Sequence, residues 1–402
     1  MASYLENKII TDHILFGIDT EHRLDSEQLD ELKQHFCGIA ISDIDVFKHQ
    51  LNNNMVYLYG NICHMFDIIP NLNNSNVYII DTLSYNADVL APKVTLGQVP
   101  INVHGQGVFF RQLFDDPCNY FFDRLNEAHT FLDLTESNKE GVSYRRGLYI
   151  SEIIDDGSSL TYHLLRCSTN LKGPTENTRD VDEDILYKLQ YIHRFFTHPA
   201  PLNHVLAQIY TNNVVNNRPK KATIKQHSDK TKDMDSNGLI VFCTFYNFSD
   251  TLKYRREGYD YFYKKTSVLT RLRFRLKSCV HNDDLIKQFD VILYPNSVFA
   301  IPLSTNRLYT HEIVPSGLPV EHLPTRLGYV VRSSNVKAIY KDGQTYVVDS
   351  DDLVQLKPQT PELAAQLKHL YFLENSTTDV IDYSSLITEF SLNDGDYMAP
   401  EV

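Results

Sequence analysis

The sequence predicts an α+β protein whose core is a jelly roll, a double-stranded β-helix made of two packed β-sheets. Three observations predict this fold class. The chain is rich in strand-like segments from Pro201 onward, turn signals separate those segments, and helical patterns flank them. At 402 residues with 42% hydrophobic side chains, the chain can form one large domain or two ordinary ones.

The composition pattern divides the chain into three predicted regions. Residues 1–182 are predicted to form an N-terminal α/β region that recognises substrate or packs against the core, with Ser26 capping an early helix. Residues 183–348 form the β-helix core. Residues 349–402 supply a helix over 361–373 and an acidic tail, whose last twenty or so residues we expect to be loosely ordered.

The core region begins with a helix and continues with strands. A polar, acidic stretch over 175–184 is interpreted as a loop or boundary, and apolar residues at helical spacing from Ile185 to Phe196 predict a helix outside the barrel. Residues 247–266 are too charged and aromatic for a core strand, so we predict an insertion loop that serves as a substrate lid. Eight strands are predicted at 205–210, 221–227, 238–247, 267–277, 289–294, 297–303, 307–314 and 325–333.

Two histidines and an aspartate occupy the ends of predicted strands. His227-Ser228-Asp229 closes one strand, and His311 lies in another, 82 residues after Asp229. Two imidazoles and one carboxylate on one face of a metal ion leave three positions open, which is the facial triad of non-haem Fe(II) oxygenases. A second H-x-D element, His281-Asn282-Asp283, is disfavoured because it lies in a polar turn only 28 residues before His311.

Two arginines follow on the last predicted core strand. Arg326 and Arg332 are six residues apart, so both side chains point to the same face of that strand. Guanidinium groups on an inward face need an anion, and a guanidinium binds a carboxylate bidentately. On an outward face they would be ordinary solvated charges, and the sequence alone does not choose the face. The iron-ligand candidates favour the inward face, and with it a binding site for a dicarboxylate co-substrate.

The order of these residues resembles the 2-oxoglutarate- and Fe(II)-dependent oxygenase superfamily, and its AlkB-like branch most closely. The resemblance covers roughly residues 200–340 and rests on H-x-D, a distal histidine and the R-x5-R strand. It implies that His227, Asp229 and His311 bind Fe(II) and are catalytic. TET/JBP-type DNA oxygenases share the H-x-D, the distal histidine and a following arginine, and are the close competitor.

The same resemblance implies further cofactor contacts. It implies that Arg326 pairs with the distal carboxylate of 2-oxoglutarate and that Arg332 supports the same end of the site. It also implies that Asn216 corresponds to the asparagine that precedes H-x-D in the AlkB-like branch. O2 is the implied second co-substrate, and ascorbate a reductant. Gly328 stands where the AlkB-like branch has an asparagine between the two arginines.

Charge is unevenly distributed along the chain. The net charge is −13, yet residues 218–277 contain 15 basic and 6 acidic side chains, interleaved with tyrosines such as Tyr259 and Tyr261. Basic and aromatic side chains together are typical of nucleic-acid contacts. The alternative is that they cover solvated outer faces of strands.

Localisation and function remain broader predictions. The six cysteines form no C-x-x-C pair, and neither a signal-like start nor a membrane-length apolar run is evident, which favours an intracellular protein, cytoplasmic or nuclear. Three functions stay open. They are oxygenation or oxidative demethylation of a nucleic-acid base, the same chemistry on a protein side chain or small metabolite, and a non-enzymatic jelly-roll binding protein.

Overall fold

The chain forms a mixed α/β protein with several β-sheets. The computed structural model describes residues 7–18, 26–50, 54–68, 76–88, 90–114, 120–135, 142–166, 171–247, 269–349, 352–383 and 389–402. Short 3-10 turns lie at Leu96–Gln98, Gln190–Phe195, Val320–His322 and Asp394–Tyr397. Within these ranges no helix is both long and apolar enough to cross a membrane.

The N-terminal part is built on a parallel sheet. Its elements are β1 (Ile14–Ile18), α1 (Ser26–His35), β2 (Ile39–Ile41), α2 (Ile44–Gln50), β3 (Val56–Asn61), α3 (Ile62–Ile68), β4 (Val77–Tyr85) and β5 (Lys93–Val94). The strand order is β2-β1-β3-β4-β5, and every pair is parallel. One face of the sheet buries Phe16 against Phe47 of α2, and the other packs Tyr57 into the main core. Burial on both faces is usual for parallel sheets.

The next elements lead into the main body. They are β6 (Ile101–Val103), β7 (Gly107–Phe110), α4 (Phe121–Ala128), β8 (Leu132–Thr135), β9 (Val142–Ser151), β10 (Ile154–Asp155), β11 (Leu160–Leu164), β12 (Glu176–Asn177) and α5 (Asp180–Leu189). The strands of the predicted core then follow. They are β13 (His204–Tyr210), β14 (Asn213–Val215), β15 (Arg218–Lys220), β16 (Ile224–His227), β17 (Leu239–Tyr246), β18 (Arg271–Leu276), β19 (Gln288–Ile292), β20 (Ser297–Pro302), helix α6 (Leu303–Leu308), β21 (Tyr309–Val314) and β22 (Arg326–Arg332).

Two sheets position the candidate site. The large sheet runs in the order β12-β9-β13-β22-β17-β20-β7-β6, and β8 also pairs with β9. The small sheet runs β16-β21-β18-β19 and is antiparallel throughout. From β13 onward the chain passes back and forth between the two sheets, so strands distant in sequence become neighbours.

The eight predicted core strands are confirmed in position, with ends that differ by a few residues. The largest differences are at 267–277, where the strand begins only at Arg271, and at 221–227, where it begins only at Ile224. The sheet also extends across the predicted boundary at residue 182, because β7 pairs with β20 and β9 pairs with β13. Such long-range pairing depends on backbone hydrogen bonds that no local sequence pattern encodes.

Helix α5 begins earlier than predicted. The acidic stretch interpreted as a loop contains the first turn of the helix, with Asp180, Asp182 and Glu183. Carboxylates stabilise a helix at its N-terminus because they complement the helix dipole. The helix packs on the outer face of the large sheet, where the Tyr329 hydroxyl donates to Asp182 over 2.8 Å.

The C-terminal part is ordered around a helix. Strands β23 (Val336–Lys341), β24 (Gln344–Asp349) and β25 (Asp352–Gln355) extend a sheet with β10 and β11, and helix α7 spans Pro361–Ser376. The expectation of a loose tail is wrong for residues 389–402. Phe390 and Leu392 are buried, and the backbone of Glu401 pairs with Thr175 and Asn177. Acidic composition alone did not reveal these contacts.

Candidate metal centre

The two predicted histidine ligands are cross-strand neighbours in the small sheet. His227 on β16 pairs with His311 on β21, and their ring centroids lie 4.5 Å apart. The Nδ1 atom of His227 lies 2.8 Å from the carbonyl oxygen of Lys225, which can only accept a hydrogen bond. Nδ1 therefore donates, and the lone pair is on Nε2, the atom that faces Asp229.

Asp229 completes the cluster from the loop after β16. Its Oδ1 atom lies 3.7 Å from Nε2 of His227 and 3.8 Å from Nε2 of His311. One ligand atom from each of the three residues lies within 4.8 Å of the other two. In the described part of the chain, this is the one group of three such residues that could hold a metal ion.

The protonation states in the cluster suit a cation. Burial and the neighbouring His227 lower the pKa of His311 to about 3, so its imidazole is neutral at physiological pH. Burial would raise the pKa of Asp229, but the guanidinium of Arg332 beside it holds the pKa well below its usual range. Neutral imidazoles and an ionised carboxylate are the forms that bind metals.

The two arginines of β22 both line the cavity but have different partners. Two nitrogens of Arg332 form an ion pair with one oxygen of Asp229, with Nε at 2.9 Å and Nη2 at 2.7 Å from Oδ2. This differs from the prediction that Arg332 supports the co-substrate end, because its guanidinium is already held by the carboxylate ligand. Oδ1 is left to face the histidines.

Arg326 has the geometry of an anion site. Its guanidinium stacks on the ring of Tyr210 at 3.8 Å from the ring centroid, and its Nη2 is buried without a hydrogen-bond partner in the described structure. A buried guanidinium nitrogen without an acceptor is costly. A carboxylate or similar anion entering the cavity would satisfy it, which fits a dicarboxylate co-substrate.

A cavity of about 980 Å³ joins these groups. Both sheets and α7 contribute to its lining. Four cross-strand neighbours form one row of the large sheet, Gly147, Gln208, Gly328 and Thr244, and the last three of them line the cavity. A Cβ at Gly328 would lie 3.1 Å from Nη1 of Arg326 and 3.3 Å from the Tyr210 ring.

Helices α6 and α7 hold the loop that carries Asp229. Asn306 of α6 accepts from the backbone N–H of Asp229 at 2.9 Å and donates to its carbonyl oxygen at 2.9 Å. Asn375 of α7 accepts from the Ser228 N–H at 2.6 Å, and Glu374 accepts from the Thr231 N–H at 3.0 Å. Sequence reasoning missed these three residues, because they lie far from the loop in the chain and form no motif with it.

The end of α7 is anchored in turn by a buried lysine. Nζ of Lys277 donates to the carbonyl oxygens of Glu374 at 2.5 Å and Thr377 at 2.9 Å. A cation at this position also complements the negative end of the helix dipole. Burial lowers the pKa of Lys277 to about 8.

Other predicted residues lie away from the cavity. Asn216 is exposed in the turn between β14 and β15, with a φ of 50°, and it does not line the cavity. Its predicted cofactor role therefore has no geometric support, because this turn conformation directs the residue to the surface. His281 and Asp283 are also exposed, as expected for the disfavoured H-x-D element.

The basic segment is described only in part. The predicted lid and its tyrosines lie almost wholly in 248–268, outside the described residues. Within β18, Arg271 and Arg273 pair with Asp290 at 3.0 and 2.7 Å, and Arg275 pairs with Glu312 at 2.7 Å. For these three side chains the ion pairs favour the alternative interpretation of the basic segment, in which its charges cover the outer faces of strands rather than contact nucleic acid.

Solved structures with a weak likeness to this chain include a prolyl-4-hydroxylase and OsALKBH1. No protein-family model and no curated protein matches the chain. A prolyl-4-hydroxylase from Pseudomonas putida is similar at 12% identity and a TM-score of 0.28, over 54% of this chain and 82% of that one. OsALKBH1 is similar at 13% identity and a TM-score of 0.34, over 57% of this chain and 98% of that one. At these TM-scores neither likeness supports a statement about function.

Proposed function

We propose that the protein is a dioxygenase that uses Fe(II) and 2-oxoglutarate. The observation that carries this proposal is the His227–Asp229–His311 cluster in one cavity with the buried, unsatisfied guanidinium of Arg326. Two imidazoles and one carboxylate are the ligand set of non-haem iron oxygenases. A chelating dicarboxylate is the co-substrate that would reach both the metal and a distant arginine.

We infer that the two central sheets form a double-stranded β-helix. The large sheet contains β13-β22-β17-β20 and the small sheet contains β16-β21-β18-β19. That alternation of strands between two facing sheets supports the jelly-roll interpretation. It places the histidines on the small sheet opposite the arginines on the large sheet.

The proposed reaction couples two oxidations. Fe(II), when bound, would supply the chemistry by which O2 oxidises both co-substrate and substrate. 2-Oxoglutarate, O2 and a substrate C–H group yield succinate, CO2 and a C–OH group. Loss of formaldehyde from an N-hydroxymethyl product would make the same reaction a demethylation.

The chain's own residues have distinct roles in this proposal. His227, Asp229 and His311 hold the metal. Arg332 keeps Asp229 ionised and oriented, and Arg326 binds the distal carboxylate of 2-oxoglutarate by charge-assisted hydrogen bonds. Apolar side chains from both sheets, including Phe242, Leu272 and Ile313, line the space between metal and arginine and limit its water content.

The alternative of a non-enzymatic jelly-roll protein is disfavoured by the cost of the site. A largely buried carboxylate, two histidines and two arginines in one cavity are expensive without ligands. Nucleic acid remains a prediction of the basic segment 218–277, to be tested by salt-sensitive oligonucleotide binding.

Calorimetric titration of 2-oxoglutarate into Mn(II)-loaded protein tests the proposal without turnover. We expect binding that requires the metal and weakens strongly in Arg326→Ala. Equal binding to metal-free and metal-loaded protein would contradict the assignment of the cluster as the metal site.

A further inference from the structure

We propose that the organic substrate of this site is a small anion, carrying a carboxylate or phosphate group that binds on the cavity wall away from Arg326. The role of this anion as a substrate rests on the proposed function. Its binding at this wall does not, and can be measured separately.

The charges in the cavity are the first evidence. The chain has a net charge of −13, yet a single carboxylate, that of Asp229, lines the cavity among the described residues. Six basic side chains also line it: Arg145, Lys225, Lys230, Arg326, Arg332 and Lys368. Arg332 is neutralised by Asp229, and 2-oxoglutarate would occupy Arg326. Lys230 contacts the Tyr371 ring, so the cations left for a second anion are Arg145, Lys225 and Lys368.

The position of these three cations is the second observation. They come from three different elements, with Arg145 on β9, Lys225 on β16 and Lys368 on α7. Strand β16 is the edge of the small sheet, and β9 lies on the far side of β13 from β22. None of the three cations therefore lies on β22, the strand that carries Arg326.

The register of the large sheet separates this wall from the co-substrate site. Arg145 pairs with Tyr210, and Tyr210 pairs with Arg326. Arg145 is thus two strands from Arg326, roughly 10 Å at the usual strand spacing. The Tyr210 ring lies between them and stacks on Arg326. One small dicarboxylate bound to the metal and Arg326 would leave Arg145 available for a second anion.

Aromatic side chains complete the wall. Tyr149, Tyr371 and Phe372 line the cavity, and Phe372 is 63% exposed. Nζ of Lys230 lies 5.3 Å from the centroid of the Tyr371 ring. An exposed phenylalanine beside lysines offers an apolar surface next to an anion site, so the substrate is expected to combine an anionic group with an apolar body.

A small molecule fits better than a polymer. The cavity volume of about 980 Å³ is in the range of sites that enclose small ligands. A polyanion would instead meet a chain of net charge −13, and the arginines of β18 outside the cavity are already paired. An oligonucleotide is therefore the competing outcome.

The test compares molecules that differ only in charge. Protein saturated with Mn(II) and 2-oxoglutarate, kept without O2, is titrated with matched pairs: carboxylic acids against their primary amides, and phosphate monoesters against their alcohols. We expect members of one charged series to bind about tenfold or more tightly than their neutral partners. The series that binds identifies carboxylate or phosphate as the recognised group.

Charge-removing variants locate the site. Arg145→Gln and Lys368→Gln should each weaken binding of the selected acid by about fivefold or more. Lys337→Gln removes an exposed lysine on β23, outside the cavity, and should bind as the wild type does. All three side chains are at least partly exposed, and equal thermal unfolding midpoints would show that the variants are folded.

Three results would overturn the proposal. The first is that the neutral partners bind as tightly as the acids. The second is that Arg145→Gln and Lys368→Gln both bind the selected acid as tightly as the wild type does. The third is that a single-stranded oligonucleotide binds more tightly than every small acid and is displaced by salt. If acids bind through Arg145 but 2-oxoglutarate does not bind through the metal, the anion site stands and the proposed function fails.

Discussion

Two arginines six residues apart on one strand perform different tasks. Arg332 forms an ion pair with the carboxylate of the candidate ligand Asp229, whereas Nη2 of Arg326 is buried without a hydrogen-bond partner among the described residues. The sequence predicted that both side chains point to the same face of the strand, and both line the cavity. Their separate partners could not be predicted, because the position of Asp229 depends on a loop held by distant helices.

Arg326→Ala is predicted to weaken 2-oxoglutarate binding with little effect on the metal. Loss of a charge-assisted hydrogen bond costs about 2 kcal/mol or more, roughly a thirtyfold rise in the Kd for 2-oxoglutarate. Arg326→Lys keeps the charge but not the planar fork, so it should recover part of the loss. A wild-type Kd for 2-oxoglutarate in Arg326→Ala would contradict this role.

Gly328→Ala tests the space that Arg326 needs. The added methyl carbon would lie 3.1 Å from Nη1 of Arg326 and 3.3 Å from Tyr210. We expect the guanidinium to shift and the Kd for 2-oxoglutarate to rise severalfold, less than in Arg326→Ala. Titration calorimetry on both variants checks the order, and a larger effect in Gly328→Ala than in Arg326→Ala would refute the explanation.

At the scale of elements, helix α7 supports the metal centre from a great distance in sequence. Asn375 accepts from the Ser228 N–H across 147 residues, and Asn306 of α6 pairs with Asp229 across 77 residues. The periodic pattern of α7 predicted its existence but not this contact. Local patterns report which face of an element is apolar, whereas side-chain partners depend on the assembled fold.

Asn375→Ala is predicted to weaken metal binding while leaving the helix intact. Loss of its acceptor frees the loop between two ligands, and loss of such supporting contacts typically costs about 10- to 100-fold in metal affinity. Ser376→Ala is the matched control, because its hydroxyl bonds only within α7, to the carbonyl oxygens of Phe372 and Leu373, among the described contacts. Equal Mn(II) affinity in the two variants would show that α7 does not position the loop.

At the scale of the whole molecule, a buried ionic network joins two strands of the large sheet, β12 and β22, to helix α5. His129 lies 2.9 Å from Glu176 and 2.8 Å from Asp182, and Tyr329 of β22 donates to the same Asp182. Burial lowers the pKa of His129, but its hydrogen bonds to Asp182 and Glu176 outweigh burial and raise the pKa to about 9. The imidazole is therefore charged in the folded protein at neutral pH.

This network makes stability depend on pH in a defined direction. Because the folded pKa of His129 exceeds the ordinary value of 6.5, its stabilisation is full below pH 6.5 and is lost as the pH rises through about 9. The loss is on the order of 3 kcal/mol. Urea unfolding of wild type and His129→Gln across this range should show the difference in unfolding free energy shrinking with pH. Parallel curves would contradict it.

The sequence predicted more of the core than of its surroundings. Strand-forming patterns placed the eight core strands and with them the three metal-ligand candidates. Residues before 182 were predicted as α/β, but not that β7 and β9 join the central sheet. The ordered C-terminal segment was missed for the same reason, since Phe390 and Leu392 pack against α7 and the Glu401 backbone pairs with Thr175 and Asn177.

The most direct test of the central claim is succinate formation from 2-oxoglutarate by purified protein with Fe(II), O2 and ascorbate. Wild type should form succinate, whereas His227→Ala, Asp229→Ala and His311→Ala should each abolish it and remain folded. Lys337→Gln, outside the cavity, should retain the wild-type rate. Wild-type rates in two of the three ligand variants, or no succinate from wild-type protein that binds no iron, would contradict the account.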